Sequence, residues 1–244
     1  MDFTKFVSLL EESALYFARG DQFGDQFEGS RPRRNVEARF RRFCELNGKR
    51  PDELSTAERQ AFKDDLEADG RLDRQFVAIN CWHINDFESA AMWNLYLKSN
   101  EGIAIKSTYD RLARAISQAP GRQTGCTFVH IGLVRYIDYS SDEFEEKSKF
   151  SRFLHKRKSF EHERELRAMA ESPMQMQGGD FIYAKRKPLI GVGAHIPVDL
   201  ETLIGAIYIA PNASWLELLV LKVMNKYGVR AHVRRTSLDE SPLF

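Results

Sequence analysis

Lys156-Arg157-Lys158-Ser159-Phe160-Glu161-His162-Glu163-Arg164-Glu165-Leu166-Arg167 is the stretch whose secondary structure separates a site from a wet surface in this chain. Three carboxylates recur there at two-residue spacing, with cations on both sides. On a strand, Glu161, Glu163, Glu165 and Arg167 would all project from one face. Like charges held that close require a positive group between them. On a helix the same residues scatter at about 100° per residue and face water. The pattern predicts helix through about Phe160 and strand after it. Two readings of the carboxylates then stand side by side. In one, Arg157 and Arg167 pair with them and tie two elements together. In the other, a strand-borne acid faces a cleft and is tuned by the charges beside it.

The rest of the composition sets bounds. With 244 residues, 43% of them hydrophobic, and 17 Phe, the chain is long and apolar enough for a real core. A net charge of +1 gives no global attraction to nucleic acid or membrane, so any such function has to come from local patches. Cys44, Cys81 and Cys126 are odd in number and far apart, which speaks against a disulfide framework or a CxxC zinc site and suits a reducing compartment. Met1 to Phe6 has neither the basic start nor the apolar run of a signal peptide. Leu216 to Met224 carries Glu217 and Lys222 and is too short for a membrane span. A soluble cytoplasmic protein with no membrane partner is expected.

Outward from the acidic stretch, the pattern predicts an α+β fold: a mixed or antiparallel sheet core with flanking helices, in one domain over 1–244. An amphipathic helix is expected over Phe3–Ser13, a buried strand over Ala14–Ala18, and then a glycine- and acid-rich loop over 20–30. Residues 31–50 hold eight Lys or Arg against two Glu, and 52–69 hold seven acids against two bases. Ser55 with Glu58 makes a capping-box pattern. Residues 31–74 therefore read as a charged helical insertion whose opposite charges pair. It is either a hairpin solvated on one face or an arm contacting nucleic acid through Arg31, Arg33, Arg34, Arg39, Arg41 and Arg42. Further strands are expected at 75–83, 102–108 and 126–139. Helices are expected at 87–98 (capped by Asn85 or Asp86), 109–117, 142–160 and 215–227. Late strands are expected at 181–184, 195–198, 206–210 and 229–233, with a loop over 173–179. The six bases between Lys147 and Lys158 would form a basic face on the helix at 142–160.

No phosphate loop, HExxH motif, nucleophile elbow or zinc-spaced histidine pair is present. Four constellations remain. Asp25 and Glu28 sit in the glycine-bounded loop, where backbone can approach a ligand. Trp82 and His83, followed by Glu88, Met92, Trp93 and Tyr96, gather aromatics at a strand end; core packing and base or nicotinamide stacking are both open to them. Lys106-Ser107-Thr108 closes a strand with polar groups. The fourth is the Glu161/Glu163/Glu165 set with Arg157 and Arg167.

Three of these motifs occur together as Phe23-Gly24-Asp25-Gln26-Phe27-Glu28, Cys81-Trp82 with Met92-Trp93 and Tyr96, and Lys156-Arg157 with Phe160, Glu163, Glu165 and Arg167. In that order they resemble a bacterial domain-of-unknown-function family. Its loop reads FNDPFE, and its members often lie near abortive-infection genes of the AbiGi type. Gly24 and Gln26 depart from that loop pattern. A looser similarity links the order Arg19, Ser107-Thr108 and Glu163-x-Glu165 to mono-ADP-ribosyltransferases. The resemblance implies an ADP-ribosyltransferase-like fold and an NAD-using enzyme of a phage-defence or toxin system. Glu165 or Glu163 would be the catalytic acid, Arg19 would contact the diphosphate, and Ser107 would belong to the cofactor-binding set. Trp93 or Tyr96 would stack on the nicotinamide. Asp25, Glu28, His83, Arg157 and Arg167 are further candidates, and no metal is implied. Acceptor nucleic acid would lie on the 147–158 face or the 31–50 arm, and a partner protein would be encoded nearby. The alternative is a non-catalytic binding or regulatory module of such a system. A metal-dependent nuclease using Asp25, Glu28 and the late carboxylates is a third reading.

Overall fold

The computed structural model describes residues 1–97, 101–119, 128–171, 176–177, 180–181, 191–240 and 242. In chain order the elements are α1 (Phe3–Glu12), β1 (Ala14–Arg19), α2 (Arg33–Leu46), α3 (Thr56–Phe76), β2 (Val77–His83), α4 (Ala90–Tyr96), β3 (Ile103–Lys106) and α5 (Tyr109–Ser117). They continue with β4 (Val129–Leu133), β5 (Arg135–Ile137), β6 (His155–Arg157), β7 (Glu165–Glu171), β8 (Met176–Gln177) and β9 (Asp180–Phe181). The last are β10 (Gly193–Pro197), α6 (Leu200–Leu203), β11 (Ala206–Ile209), α7 (Leu216–Lys226) and β12 (His232–Arg235). The class is α+β.

Two compact units divide the chain: residues 1–16, 85–126 and 195–244 form one, and 17–84 with 127–194 the other. In the first unit, β11 pairs antiparallel with β3 and parallel with β12. The parallel pair needs a crossover, and α7 supplies it. The apolar faces of these elements form the core: Phe6, Leu9 and Leu10 of α1, Leu112 and Ile116 of α5, Ile207 and Ile209 of β11, and Val220 and Met224 of α7 are buried. Asp2, Thr108 and Asp199 cap α1, α5 and α6 with their side-chain oxygens.

The second unit carries β2, β7 and β4, with β7 between the other two and antiparallel to both, and Ala18 and Arg19 of β1 pair antiparallel with Ile79 and Ala78 of β2. Register places Ile79, Cys81 and His83 of β2 opposite Met169, Arg167 and Glu165 of β7. Directly opposed residues share a face, so that face runs from an apolar end at Ile79 and Met169 to a charged end at His83 and Glu165. Phe150 and Phe153 pack on the apolar end with Val77, Ile79 and Met169. Two glycines make room. Gly132 lies against Leu154, where an added Cβ would come within 2.9 Å of its methyl carbons. Gly29, at φ +67°, lies against Phe153, and a Cβ there would come within 2.5 Å of the ring. The insertion holds α2 and α3, with the Ser55–Glu58 capping box formed. Its opposite charges meet at Arg31–Asp69, Arg39–Asp69 and Lys49–Glu58.

Several boundaries differ from expectation. No helix covers 142–160. Short 3-10 turns at Lys149–Leu154 and Lys158–Glu163 flank β6 instead. Buried Phe150 and Phe153 and the parallel pairing of β6 with β5 outweigh helix propensity there. The long strand expected at 126–139 breaks at Val134 into β4 and β5, and its first residues, Cys126 and Thr127, lie outside the described residues. Ser89 rather than Asn85 or Asp86 caps α4, which starts at Ala90. α3 runs on to Phe76, so the strand after it starts at Val77. The final strand is shifted to His232–Arg235. The expected strand at 182–184 and most of the loop at 173–179 lie outside the described residues.

Candidate functional site

The charged end of the β2–β7 face is built by four segments of the second unit. β7 supplies Glu165 and Arg167. The parallel pairing of β5 with β6 sets Tyr136 beside Lys156. The turn over 158–163 supplies Glu163, and the loop over 20–30 supplies Asp25 and Glu28. Arg164, at φ 41°, separates Glu163 from Glu165. Glu161, Glu163 and Glu165 therefore do not line one strand face. Glu161 is exposed on the turn, and only Glu163 and Glu165 converge.

Arg167 is the pivot, with no exposed surface. Its guanidinium grips Glu28 at both ends, with Nη1 donating to Oε2 and Nη2 to Oε1, each at 2.8 Å. Nε donates to Glu165 Oε2 at 2.6 Å, and Nη1 also to the Phe153 carbonyl at 2.8 Å. A planar fork matches paired carboxylates in this way, whereas an ammonium ion cannot. Lys156 Nζ lies 2.5 Å from Glu163 Oε2, 2.8 Å from Glu165 Oε1 and 3.5 Å from Glu28 Oε1. The backbone N–H of Glu165 donates to Tyr136 Oη at 2.8 Å. Next to this group, Arg157 Nη2 donates to Asp25 Oδ1 at 2.7 Å, with its guanidinium 4.6 Å from the Phe27 ring centre and 5.3 Å from that of Phe160.

The charges do not balance. Among the described residues, the ion pairs of Asp25, Glu28, Glu163 and Glu165 are with Lys156, Arg157 and Arg167. One proton restores neutrality, and it belongs on Glu163. Burial and the hydrogen bond to Glu165 raise the Glu163 carboxyl to about 7, against the pull of Lys156. Burial also disfavours the Glu165 anion, yet bonds from Glu163, Arg167 and Lys156 overcome that and hold it well below the usual carboxylate range. Lys156 is raised despite its burial, through Glu163 and Glu165. The two acids thus differ in kind: the Glu165 side chain is 4% exposed and fully engaged, and Glu163 is 15% exposed and changes charge near neutrality.

His83 stands at the rim, across the strand pair from Glu165. Its Nδ1 lies 2.7 Å from the Glu163 carbonyl oxygen. Because a carbonyl only accepts, Nδ1 carries the hydrogen.

The other expected residues fall elsewhere. Arg19 is in the same unit, with Nε and Nη2 donating to Asp21 and Nη1 to the Gly191 carbonyl. Trp93, Tyr96 and Ser107 belong to the first unit. Trp93 is buried, Tyr96 is exposed, and Ser107 Oγ donates to the Leu203 carbonyl at 2.7 Å. The six bases of 147–158 form no open basic face. Each has an acidic partner: Lys147 with Glu145, Lys149 with Glu171, Arg152 with Asp73, Lys156 with the site acids, Arg157 with Asp25, and Lys158 with Asp142. On the insertion, Arg34, Arg41 and Arg42 of α2 are exposed. Between the site carboxylates lie Lys156 and Arg167, where a hard cation would need a vacancy. No cluster of three metal-ligating side chains occurs among the described residues, and none of the described helices is long and apolar enough to cross a membrane. Tyr136 carries no signal in the sequence, and Lys156 none beyond its place in the charged stretch; only the β5–β6 pairing makes them neighbours.

Comparison with family models, curated proteins and solved structures finds no match to this chain.

Proposed function

We propose that the chain is an NAD-using, ADP-ribosyltransferase-like enzyme of a bacterial phage-defence or toxin system, and that Glu163 is the acid that meets substrate. The carrying observation is the division of labour between the two carboxylates. Glu165 is sealed against Arg167 and Lys156, and Glu163 keeps a partly exposed carboxyl that ionises near neutral pH. Bond cleavage between ribose and nicotinamide leaves positive charge on the sugar. An ionised Glu163 placed beside that charge would stabilise it, with Glu165 and Arg167 as positioning residues behind it. The order Arg19, Ser107-Thr108 and Glu163-x-Glu165, which resembles that of mono-ADP-ribosyltransferases, supports the same reading. A nucleic-acid acceptor would be served by Arg34, Arg41 and Arg42 rather than by the paired bases of 147–158.

The test is nicotinamide release from NAD, with and without RNA or DNA. Wild type is expected to release it at a rate that rises as pH passes about 7, where Glu163 loses its proton. Glu163→Gln is expected to lower the rate by about 10²-fold or more while staying folded. No release under any of these conditions would sink the enzymatic reading.

A second reading has its own observation. The bidentate Arg167–Glu28 pair and the Phe153 contact close the loop over 20–30 onto β7. A non-catalytic binding or regulatory module would need no more from the cluster than that clasp. Glu163→Gln would then leave function intact.

A further inference from the structure

Helix α7 is apolar on both sides. Leu216, Val220 and Met224 face inward and are buried, whereas Trp215 is 56% exposed, Leu218 69%, and Leu219 and Leu221 are exposed with them. A helix apolar all round is normally covered all round, and a group of large apolar side chains left in the open marks a contact surface. At about 100° per residue, Trp215, Leu218, Leu219, Lys222 and Lys226 share the outward side. That side is apolar over the first two turns and basic over the last. The chain continues through Arg230 into Arg234 and Arg235 of β12. From Lys222 to Arg235 there are five bases, all exposed, and no acid. Among the described residues, Arg235 alone of the five has an acidic partner, Glu217 at 2.7 Å, and that pair ties β12 to α7. All of these residues belong to the first unit. The patch thus differs from the paired bases of 147–158, and the net charge of +1 conceals it.

We propose that the outward side of α7, with the bases that follow it, docks on an anionic lipid surface. The inference stands apart from the transferase reading. With 11 residues α7 is too short to cross a bilayer, so it lies in the plane of the surface. Trp215, Leu218, Leu219 and Leu221 enter the boundary between headgroups and acyl chains. Lys222 and Lys226 reach back along their apolar stems to the headgroups, and Arg230 and Arg234 add to the attraction. Charge selects this occupant. A second copy of the chain would bring the same cations onto one interface. A nucleic acid would satisfy the bases and leave the three leucines nothing to bury against. A lipid surface offers apolar depth beneath negative charge, which is the complement of this face. The expectation of no membrane partner followed from the net charge and from the lack of a span, and a local surface patch escapes both.

The test is co-sedimentation of the full chain with vesicles of phosphatidylcholine alone, and of phosphatidylcholine with phosphatidylserine at about three to one. Binding is expected to the anionic vesicles only, and it should weaken at high salt. The Lys222→Gln, Lys226→Gln double variant should bind about 30-fold more weakly. The Leu218→Gln, Leu221→Gln double variant should lose about tenfold or more. All four positions are exposed, so the thermal melts of both variants should match wild type. Tryptophan emission should shift to the blue on binding, and the shift should be absent in Trp215→Phe, which keeps Trp82 and Trp93. No sedimentation with anionic vesicles would overturn the proposal, as would equal binding to both vesicle types or binding that both double variants retain. A dimer in sedimentation velocity that the leucine variant dissolves would overturn it in favour of a second copy. An oligonucleotide bound in place of vesicles, and released by the lysine variant, would overturn it in favour of nucleic acid.

Discussion

Four carboxylates against three cations form the central fact at the scale of single residues, because a buried charge without a counter-ion is what native proteins avoid. Glu163 resolves the imbalance by keeping a proton, and that choice has a sign. Its folded value, about 7, exceeds the ordinary 4.5, so between those pH values the folded chain binds more protons than the unfolded one. Stability is therefore expected to fall as pH rises from about 5 to above 7. Glu165, shifted downward, acts oppositely: its contribution is present above its ordinary value and is lost in acid. Thermal melts from pH 4 to 9 should peak on the acid side of neutrality, and Glu163→Gln should flatten the alkaline decline. A decline that persists in Glu163→Gln would place the titrating group elsewhere. Glu28→Ala leaves Arg167 buried with half its grip gone and is expected to cost about 3–5 kcal/mol. Urea denaturation would measure it, and a cost under 1 kcal/mol would show that water reaches Arg167.

Strands and turns explain how those residues are delivered. The strand expected after Phe160 starts only at Glu165, as β7, where the turn over 158–163 has ended. The preceding segment is not legible from its own spacing. Between Lys147 and Phe160 the apolar residues are Phe150, Phe153, Leu154 and Phe160, a spacing that a helix and two short turns satisfy equally. What decides between them is a surface the segment cannot encode, the face of β2 and β7 that receives Phe150 and Phe153. Gly132 marks the closeness of that docking. Gly132→Ala is expected to cost about 1–3 kcal/mol by overpacking against Leu154. Leu154→Ala should give back part of that loss in the double variant, and additive losses would count against the contact. By contrast, the Ser55–Glu58 cap was legible because a capping box is local, and Ser55→Ala should cost about 1 kcal/mol.

Taken as a whole, the molecule holds its charge cluster in one of two units, each assembled from separate stretches of chain. Losing one clasp should therefore be felt unevenly. In Glu28→Ala, hydrogen exchange is expected to lose protection first in β2, β4 and β7, with α7 and β11 affected less. Equal loss in every element would mean that the chain opens as one cooperative block.

Sequence alone determined the class, the helices α1, α2, α3, α5 and α7, and the charge pairing within the insertion. Those properties depend on periodicity, capping and composition, which act over a few residues. Tertiary structure decided which carboxylate is sealed and which is open, that Tyr136 and Lys156 are neighbours, and that His83 is tied through Nδ1 to the Glu163 carbonyl. These depend on strand register and on burial, and a one-residue slip would reverse them. The same Glu-x-Glu spacing is compatible with a wet surface or a proton-holding pair, and only the segments packed around it select between them.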